Sequence, residues 1–260
     1  MLKKIRSAVS EAIRRIDEHT AISIATAKLH EKTFLPYKNY CQGIKDVVVC
    51  GAGPSLQDYQ PIEGAVHIAV NRAFLYNKVN FDFIFAQDMD GIRMVQDELI
   101  AYRPGTCVKF LALTTAMNSK TIPESLALKC NALRFNCDLY IYRDGYKSKM
   151  VFDIESRALG GMPNVGMSVM QLALYMNPRK IYIVGCDMSG THFTNKNMSN
   201  AEQERERKEL ERMWKNEYDK QLEKWAEIKA FAETYYPNTQ IISVNPVGLK
   251  GMFTDLYQET

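Results

Sequence analysis

The chain has 260 residues, 46% of them hydrophobic and 24% charged, enough for one sizeable core and a smaller appendage. A net charge of only +3, with no aromatic-basic interleaving and no zinc-ligand spacing, argues against nucleic acid as the main partner. No apolar run reaches the roughly 18 residues of a membrane span, the charge-broken start lacks signal-peptide form, and the six cysteines, none in a C-x-x-C pair, fit a reducing cytoplasm.

Leu2, Ile5, Val9, Ile13 and Ile16 recur at steps of three and four, with Lys3, Lys4, Arg6, Arg14 and Arg15 on other faces. This spacing predicts a basic amphipathic helix over 2–17, suited to packing on its own domain or to peripheral contact with the inner face of the cell membrane. Residues 30–45 read as a linker, so that 1–45 form an amino-terminal appendage to a domain over 46–260.

Val47 to Cys50 is an unbroken apolar run, the mark of a strand buried on both faces of a parallel sheet. It ends in Gly51-Ala52-Gly53-Pro54-Ser55, where glycines permit a tight turn and proline suits the first turn of a helix. That combination at a strand's carboxyl end predicts a phosphate or nucleotide site. Val66 to Val70 predicts a second strand ending at Asn71-Arg72. Phe83 to Ala86 predicts a third, ending in Gln87-Asp88-Met89-Asp90-Gly91, and both polar clusters fall where site residues gather. A fourth strand is expected over Val108 to Leu113. The stretch 114–163, with short apolar runs at Leu133 to Phe135 and Tyr140 to Tyr142, is expected to hold a lid or small insertion.

Gly160-Gly161-Met162-Pro163-Asn164-Val165-Gly166 leads into a helix pattern through Met176 that Asn177-Pro178 stops. Ile181 to Val184 repeats the strand-then-glycine logic in Gly185-Cys186-Asp187. Residues 201–236 are dense in Glu, Lys and Arg, with Leu210, Met213, Trp214, Leu222, Trp225, Ile228 and Phe231 at helical spacing. They read as a long charged helix or helix pair whose apolar stripe meets the body or another copy in a homo-oligomer. Ile241 to Val244 is the final expected strand, followed by Asn245-Pro246-Val247-Gly248-Leu249. The order of strand, turn, helix and strand predicts an α/β fold with a doubly wound, mostly parallel sheet.

Taken together, Gly51-Ala52-Gly53-Pro54-Ser55-Leu56, the strand-end Asn71, the block from Asn164 to Asp187 and the tail Asn245 to Leu249 resemble the bacterial sialyltransferases of glycosyltransferase family 42. They also resemble the wider group around that family, which includes flagellin-glycosyltransferase and hydroxymethylpterin diphosphokinase domains. The likeness spans about 50–253. It implies a Rossmann-like domain with a lid and an inverting transfer of a sialic-acid-like or other ulosonic acid sugar. The implied donor is a CMP-sugar, and the acceptor is a cell-surface glycan or glycolipid such as lipopolysaccharide or capsule, with no cofactor required. Carried over by position, Gly51, Ala52, Gly53 and Ser55 would meet the donor's phosphate and ribose side, and Asn71 its phosphate or sugar. Asn164 would meet its carboxylate region, and Gly185 and Asp187 would hold the nucleoside; the strand-end Gln87 and the helix-leading Gly166 are expected at the donor site as well. The family's paired tyrosines beyond the glycine-aspartate strand are missing from Met188 to Thr194, so help to the leaving group falls to His192. The family's histidine base has no counterpart in 193–260, and its arginine before the small-residue turn has Arg157 as the nearest candidate.

Two further readings stay open. Asp88-Met89-Asp90 has the D-x-D form that can hold magnesium or manganese against a diphosphate, which would suit a nucleoside diphosphate sugar or a pterin diphosphokinase-like reaction. A non-catalytic nucleotide-binding scaffold is the third. His192 is the expected catalytic group, with Asp88 the alternative base, whereas His67 within a strand reads as a packed, satisfied histidine.

Overall fold

The strands are β1 Val47–Cys50, β2 Val66–Val70, β3 Phe83–Ala86, β4 Val108–Leu113, β5 Leu133–Asn136, β6 Lys180–Val184, β7 Gln240–Ser243 and β8 Thr254–Asp255, and the short β-branched and aromatic runs of β1, β2 and β3 are buried at every residue. The structure is a computed structural model that describes residues 2–113, 121–142, 144–188, 192–194 and 199–256, without the side chains of 2–17, 140, 200, 202–203, 205–207 and 209–216. Among these residues one sheet has the order β5-β4-β3-β2-β1-β6-β7-β8, and every neighbouring pair is parallel. The chain winds outward from β1 to β5, returns to place β6 on the other side of β1, and winds outward again. The doubly wound α/β expectation therefore holds, and the order reverses between β1 and β6.

Alternate side chains feed two cores. Val47 and Val49 join α1 (Leu2–Phe34), α4 (Val165–Tyr175) and α5 (Asn200–Tyr235) on one face. Val48 and Cys50 join α2 (Gln96–Ala101), α3 (Glu124–Lys129) and the 3-10 turns Pro54–Asp58 and Asn71–Leu75 on the other. Every residue of α4 is buried, including Ser168 and Gln171, so this helix is the internal pillar of the crossover to β6. Gln171 Oε1 accepts from Val151 N (3.1 Å) and Gly160 N (2.9 Å), and its Nε2 donates to Gly160 O (2.9 Å), pinning the 151–160 segment to the pillar. The charged run after residue 200 is one helix rather than a pair, and its stripe buries Trp225 and Ile228. Leu210, Met213 and Trp214 lie outside the described side chains.

Three sequence expectations change. The helix expected over 2–17 runs on to Phe34, and Phe34 and Cys41, inside the expected linker, are fully buried. Polar side chains carry that extension. His30 Nδ1 donates to Ile154 O (2.8 Å) and its Nε2 accepts from Asn136 N (2.7 Å), while Thr33 Oγ1 donates to Arg134 O (2.8 Å) and Asn136 Nδ2 to Thr26 Oγ1 (2.8 Å). These bonds cover the edge strand β5, whose open ladder groups would otherwise invite pairing. Within the expected lid, residues 124–136 form α3 and β5 of the main sheet, and 114–120 lie outside the described residues. β8 was not expected at all.

Candidate functional site

The carboxyl ends of β1 and β6 meet where the strand order reverses, the place in open α/β sheets where a crevice for ligands forms. Glycines let the two ends close on each other. A Cβ on Gly51 would strike the Gly185 carbonyl, and one on Gly185, at φ +68, would strike the Gly51 carbonyl. Gly51 N donates to Val184 O (2.8 Å) and Gly53 N to Gly185 O (2.8 Å), so two amides of the turn extend the sheet ladder.

Asp187 then ties the turn down. Its Oδ2 accepts from Ser55 N (2.7 Å) and its Oδ1 from Ser55 Oγ, so the carboxylate caps the 3-10 turn Pro54–Asp58 from across the crevice. Burial pushes the Asp187 carboxyl up from its ordinary value, against the two Ser55 hydrogen bonds that lower it. A Cβ on Gly53 would lie 2.6 Å from Asp187 Oδ2 and 2.7 Å from Gly185 O. The glycine there serves this internal closure rather than only the approach of a ligand. The tail reinforces it, because Gly248 N donates to Asp187 O (3.1 Å) and Tyr218 Oη to Gly248 O (3.2 Å).

A cavity of about 130 Å³ opens at this junction. Of the sequence candidates, Gly51, Ala52, Gly53, Asn71, Asn164, Gly166, Gly185, Asp187 and His192 line it together. Val70, Val165, Cys186, Met188 and Trp225 line it too, and sequence reading did not single them out for it. Trp225 was assigned to the packing stripe of α5, and nothing in its spacing marks it as a cavity wall. Asn164 caps α4, accepting at Oδ1 from Met167 N (3.0 Å), and its Nδ2 donates to Gln221 Oε1 (2.9 Å). Its side chain thus fixes the pillar and α5 to each other.

What is left open to a ligand has a definite chemistry. The Ala52 amide is the one N–H between Gly51 and Ser55 with no hydrogen-bond partner among the described residues. Val165 and Gly166 are the first residues of α4, whose amides have no intrahelical acceptor and sit at the positive end of the helix dipole. Asn71, at φ +51, keeps a buried Oδ1 without a partner among the described residues, and its amide packs against Gly91, where a Cβ would come within 2.5 Å of that oxygen. Donors therefore cluster on the α4 and Ala52 side, and acceptors at Asp187 and Asn71. An anion suits the first set and sugar hydroxyls the second.

His192 is half-buried, and the next residue, Phe193, anchors the loop by donating N–H to Ala52 O (2.9 Å). Burial, then the nearby Arg72 guanidinium, push the His192 imidazole down to about 4, so it is neutral at neutral pH.

The remaining candidates stand apart from the cavity. Ser55 works beneath it through Asp187. Gln87 is buried, with its Oε1 accepting from Ser168 Oγ and its Nε2 donating to Met162 O (3.4 Å), so it ties β3 to the pillar. Asp88 Oδ1 accepts from Asp90 N (3.1 Å) within its own turn, and the exposed Asp90 pairs with Arg93 (3.6 Å). The D-x-D carboxylates thus shape the loop that carries Gly91. Among the described residues no three His, Cys, Asp or Glu side chains converge as metal ligands. Arg157 pairs with Asp153 (3.1 Å) and does not line the cavity. His67 donates from Nδ1 to Ala65 O (3.1 Å) and accepts at Nε2 from Tyr59 Oη (2.9 Å), the satisfied core histidine expected. Among the described residues no helix is long and apolar enough to cross a membrane.

Comparison with known proteins gives no match to a protein-family model and none to a curated protein. Among solved structures, the sialyltransferase CST-II in complex with a trisaccharide acceptor and CMP is 14% identical, with TM-score 0.43, over 76% of this chain and 80% of that one. CstII from Campylobacter jejuni with the substrate analogue CMP-3FNeuAc is 13% identical, with TM-score 0.43, over 82% and 85%. The monofunctional α-2,3-sialyltransferase Cst-I from Campylobacter jejuni is 12% identical, with TM-score 0.42, over 76% and 75%.

Proposed function

We propose that the protein is a glycosyltransferase that moves an ulosonic acid sugar from a CMP-activated donor to a glycan hydroxyl with inversion. The observation that carries the reading is the single cavity at the β1/β6 junction, where nine residues singled out from separated sequence blocks come together. The Ala52 amide and the α4 amino terminus receive the donor's anionic groups, Asp187 and Asn71 receive hydroxyls, and no metal is assigned a role. In the transfer the acceptor oxygen forms a bond to the anomeric carbon as the bond to the phosphate oxygen breaks, its electron pair leaving with CMP. The acceptor proton passes to His192, which is neutral and able to take it.

Calorimetry with CMP, UDP and ATP, each with and without magnesium, tests this directly. CMP should bind without metal and raise the melting temperature by mass action. Stabilisation by ATP with magnesium but not by CMP would reject the reading in favour of a diphosphokinase-like enzyme.

A further inference from the structure

The amino-terminal half of α1 does not line the cavity, and its course is set by bonds farther along the helix. Thr33 Oγ1 donates to Arg134 O (2.8 Å), His30 Nε2 accepts from Asn136 N (2.7 Å) and Thr26 Oγ1 accepts from Asn136 Nδ2 (2.8 Å). Walking back along α1 therefore moves toward the carboxyl end of β5, and the helix runs antiparallel to the strands. Farther back, His19 and Ser23 border a hollow with Asp138, Ile141 and Tyr142, residues that lie past that end. Because every strand pair is parallel, this is the same edge of the sheet as the cavity between β1 and β6. At 1.5 Å per residue, the stretch from Thr26 back to Leu2 is about 36 Å of helix running out past that edge.

The helix leaves the body as it goes. Glu18 to Ala25 are exposed at every position, Ile22 and Ile24 among them. A helix lying on its own domain buries a residue every three or four, so two turns with none buried mark a segment that stands clear. Ahead of those turns the sequence pattern changes. Leu2, Ile5, Val9, Ile13 and Ile16 fall within an arc of about 80° on a helix of 3.6 residues per turn. Lys3, Lys4, Arg6, Arg14 and Arg15 fall outside that arc with a single acid, Glu11, so residues 2–16 carry net +4 where the whole chain carries +3. The rest of the chain is thus nearly neutral.

We propose that residues 2–16 of α1 are a docking helix for an anionic lipid bilayer, lying in the headgroup layer with the apolar face toward the acyl chains and the basic faces among the phosphates. A cationic helix with one apolar stripe is complementary to that surface in both charge and polarity. A second copy of this chain fits less well. Fifteen residues make about two heptads, short of the three to four that sustain a coiled coil, and two such segments side by side would set cations against cations. Since α1 is antiparallel to the strands, a helix lying in the bilayer plane sets the cavity to open along the membrane surface. The docking does not rest on the transferase reading.

The test is flotation of the full chain with vesicles of phosphatidylglycerol and phosphatidylcholine, and with vesicles of phosphatidylcholine alone, at about 0.05 M and about 0.5 M salt. The parent should float with the mixed vesicles at low salt, float poorly at high salt, and stay behind with phosphatidylcholine alone. Each basic residue near an anionic surface contributes about fivefold to partitioning, so Lys3→Ser with Lys4→Ser should lower it about twenty-five-fold. Ile5→Ser with Ile13→Ser keeps every charge and should lower it by about tenfold or more. Both variants should melt as the parent does. A parent that does not float with the mixed vesicles, that floats equally with phosphatidylcholine alone, or that floats no better than either variant would overturn the proposal. So would a lowered melting temperature in Ile5→Ser with Ile13→Ser, which would pack the stripe on the body, or a parent dimer that this variant converts to monomer, which would give the stripe to a second copy.

Discussion

Truncating Asp187 should damage the fold before it damages any chemistry. In Asp187→Ala the Ser55 N–H loses its acceptor and the Ser55 hydroxyl one of its partners, both buried beneath the cavity. The hydroxyl still accepts from Gly185 N (3.2 Å), so its loss is partial. Each buried donor left unsatisfied costs about 1–3 kcal/mol, giving roughly 2–5 kcal/mol for the pair against a typical total stability of about 5–15 kcal/mol. Asp187→Asn keeps an oxygen for Ser55 N and removes a buried charge, so its stability at pH 7 should stay within about 1 kcal/mol of the parent. The pH dependence has a definite sign. The Asp187 carboxyl is raised above its ordinary value in the folded state, so its contribution to stability falls as pH climbs from the ordinary value through the raised one, and the Asn variant should lack that fall. Urea unfolding at pH 4 and 7, followed by circular dichroism, measures both effects. A cycle with Ser55→Ala should show coupling of at least about 1 kcal/mol. CMP calorimetry on the Asn variant, which keeps the cap, then reads the hydroxyl contact separately. An Asp187→Ala chain as stable as the parent, or strict additivity with Ser55→Ala, would refute the strap between the two strand ends.

That result bears on how far the site could be read from the sequence. The strands were legible because buried parallel strands appear as unbroken apolar runs, as in Val47 to Cys50 and Ile181 to Val184. The glycines were legible as turns, but their neighbours were not. That Gly51 faces Gly185 and Gly53 faces Asp187 depends on β1 lying beside β6 across about 130 residues of chain, information that no local window contains. The second half of α1 was illegible for another reason. Its buried face carries Thr26, His30 and Thr33, all hydrogen-bonding to the sheet edge or its neighbours, so the apolar period that identifies an amphipathic helix is replaced by polar residues. Trp225 was legible as core and became a cavity wall because α5 crosses the start of α4, where Gln221, one turn earlier on α5, holds Asn164.

Three further perturbations separate packing from chemistry. His30 is pushed down from 6.5 to about 4, chiefly by burial, so the stability it supports is full above pH 6.5 and is lost as pH falls toward 4, by about 3 kcal/mol at about 1.4 kcal/mol per pH unit. Urea midpoints at pH 7.5 and 4.5 should therefore differ less in His30→Gln than in the parent, and equal differences would remove His30 from the acid response. Gly91→Ala should displace the Asn71 amide and weaken CMP binding about tenfold or more, the loss expected of one hydrogen bond to a charged group, and unchanged affinity would detach Asn71 from the donor. His192→Ala should lower turnover by roughly a hundredfold to ten-thousandfold while leaving CMP affinity nearly unaltered. The sign of its pH profile distinguishes the two roles open to it. With the imidazole pushed down to about 4 by burial and Arg72, a base is ready throughout the neutral range, so the rate should rise with pH through about 4 and then level off wherever this group governs. A proton donor to the leaving phosphate needs the charged ring, and its rate would fall as pH rises above 4. The base is the role carried forward, since His192 lines the cavity and is uncharged where the enzyme would work. A rate that declines from pH 5 to 7 in the parent, with that decline abolished in His192→Ala, would refute the base assignment. Near-normal turnover in the variant would exclude both roles.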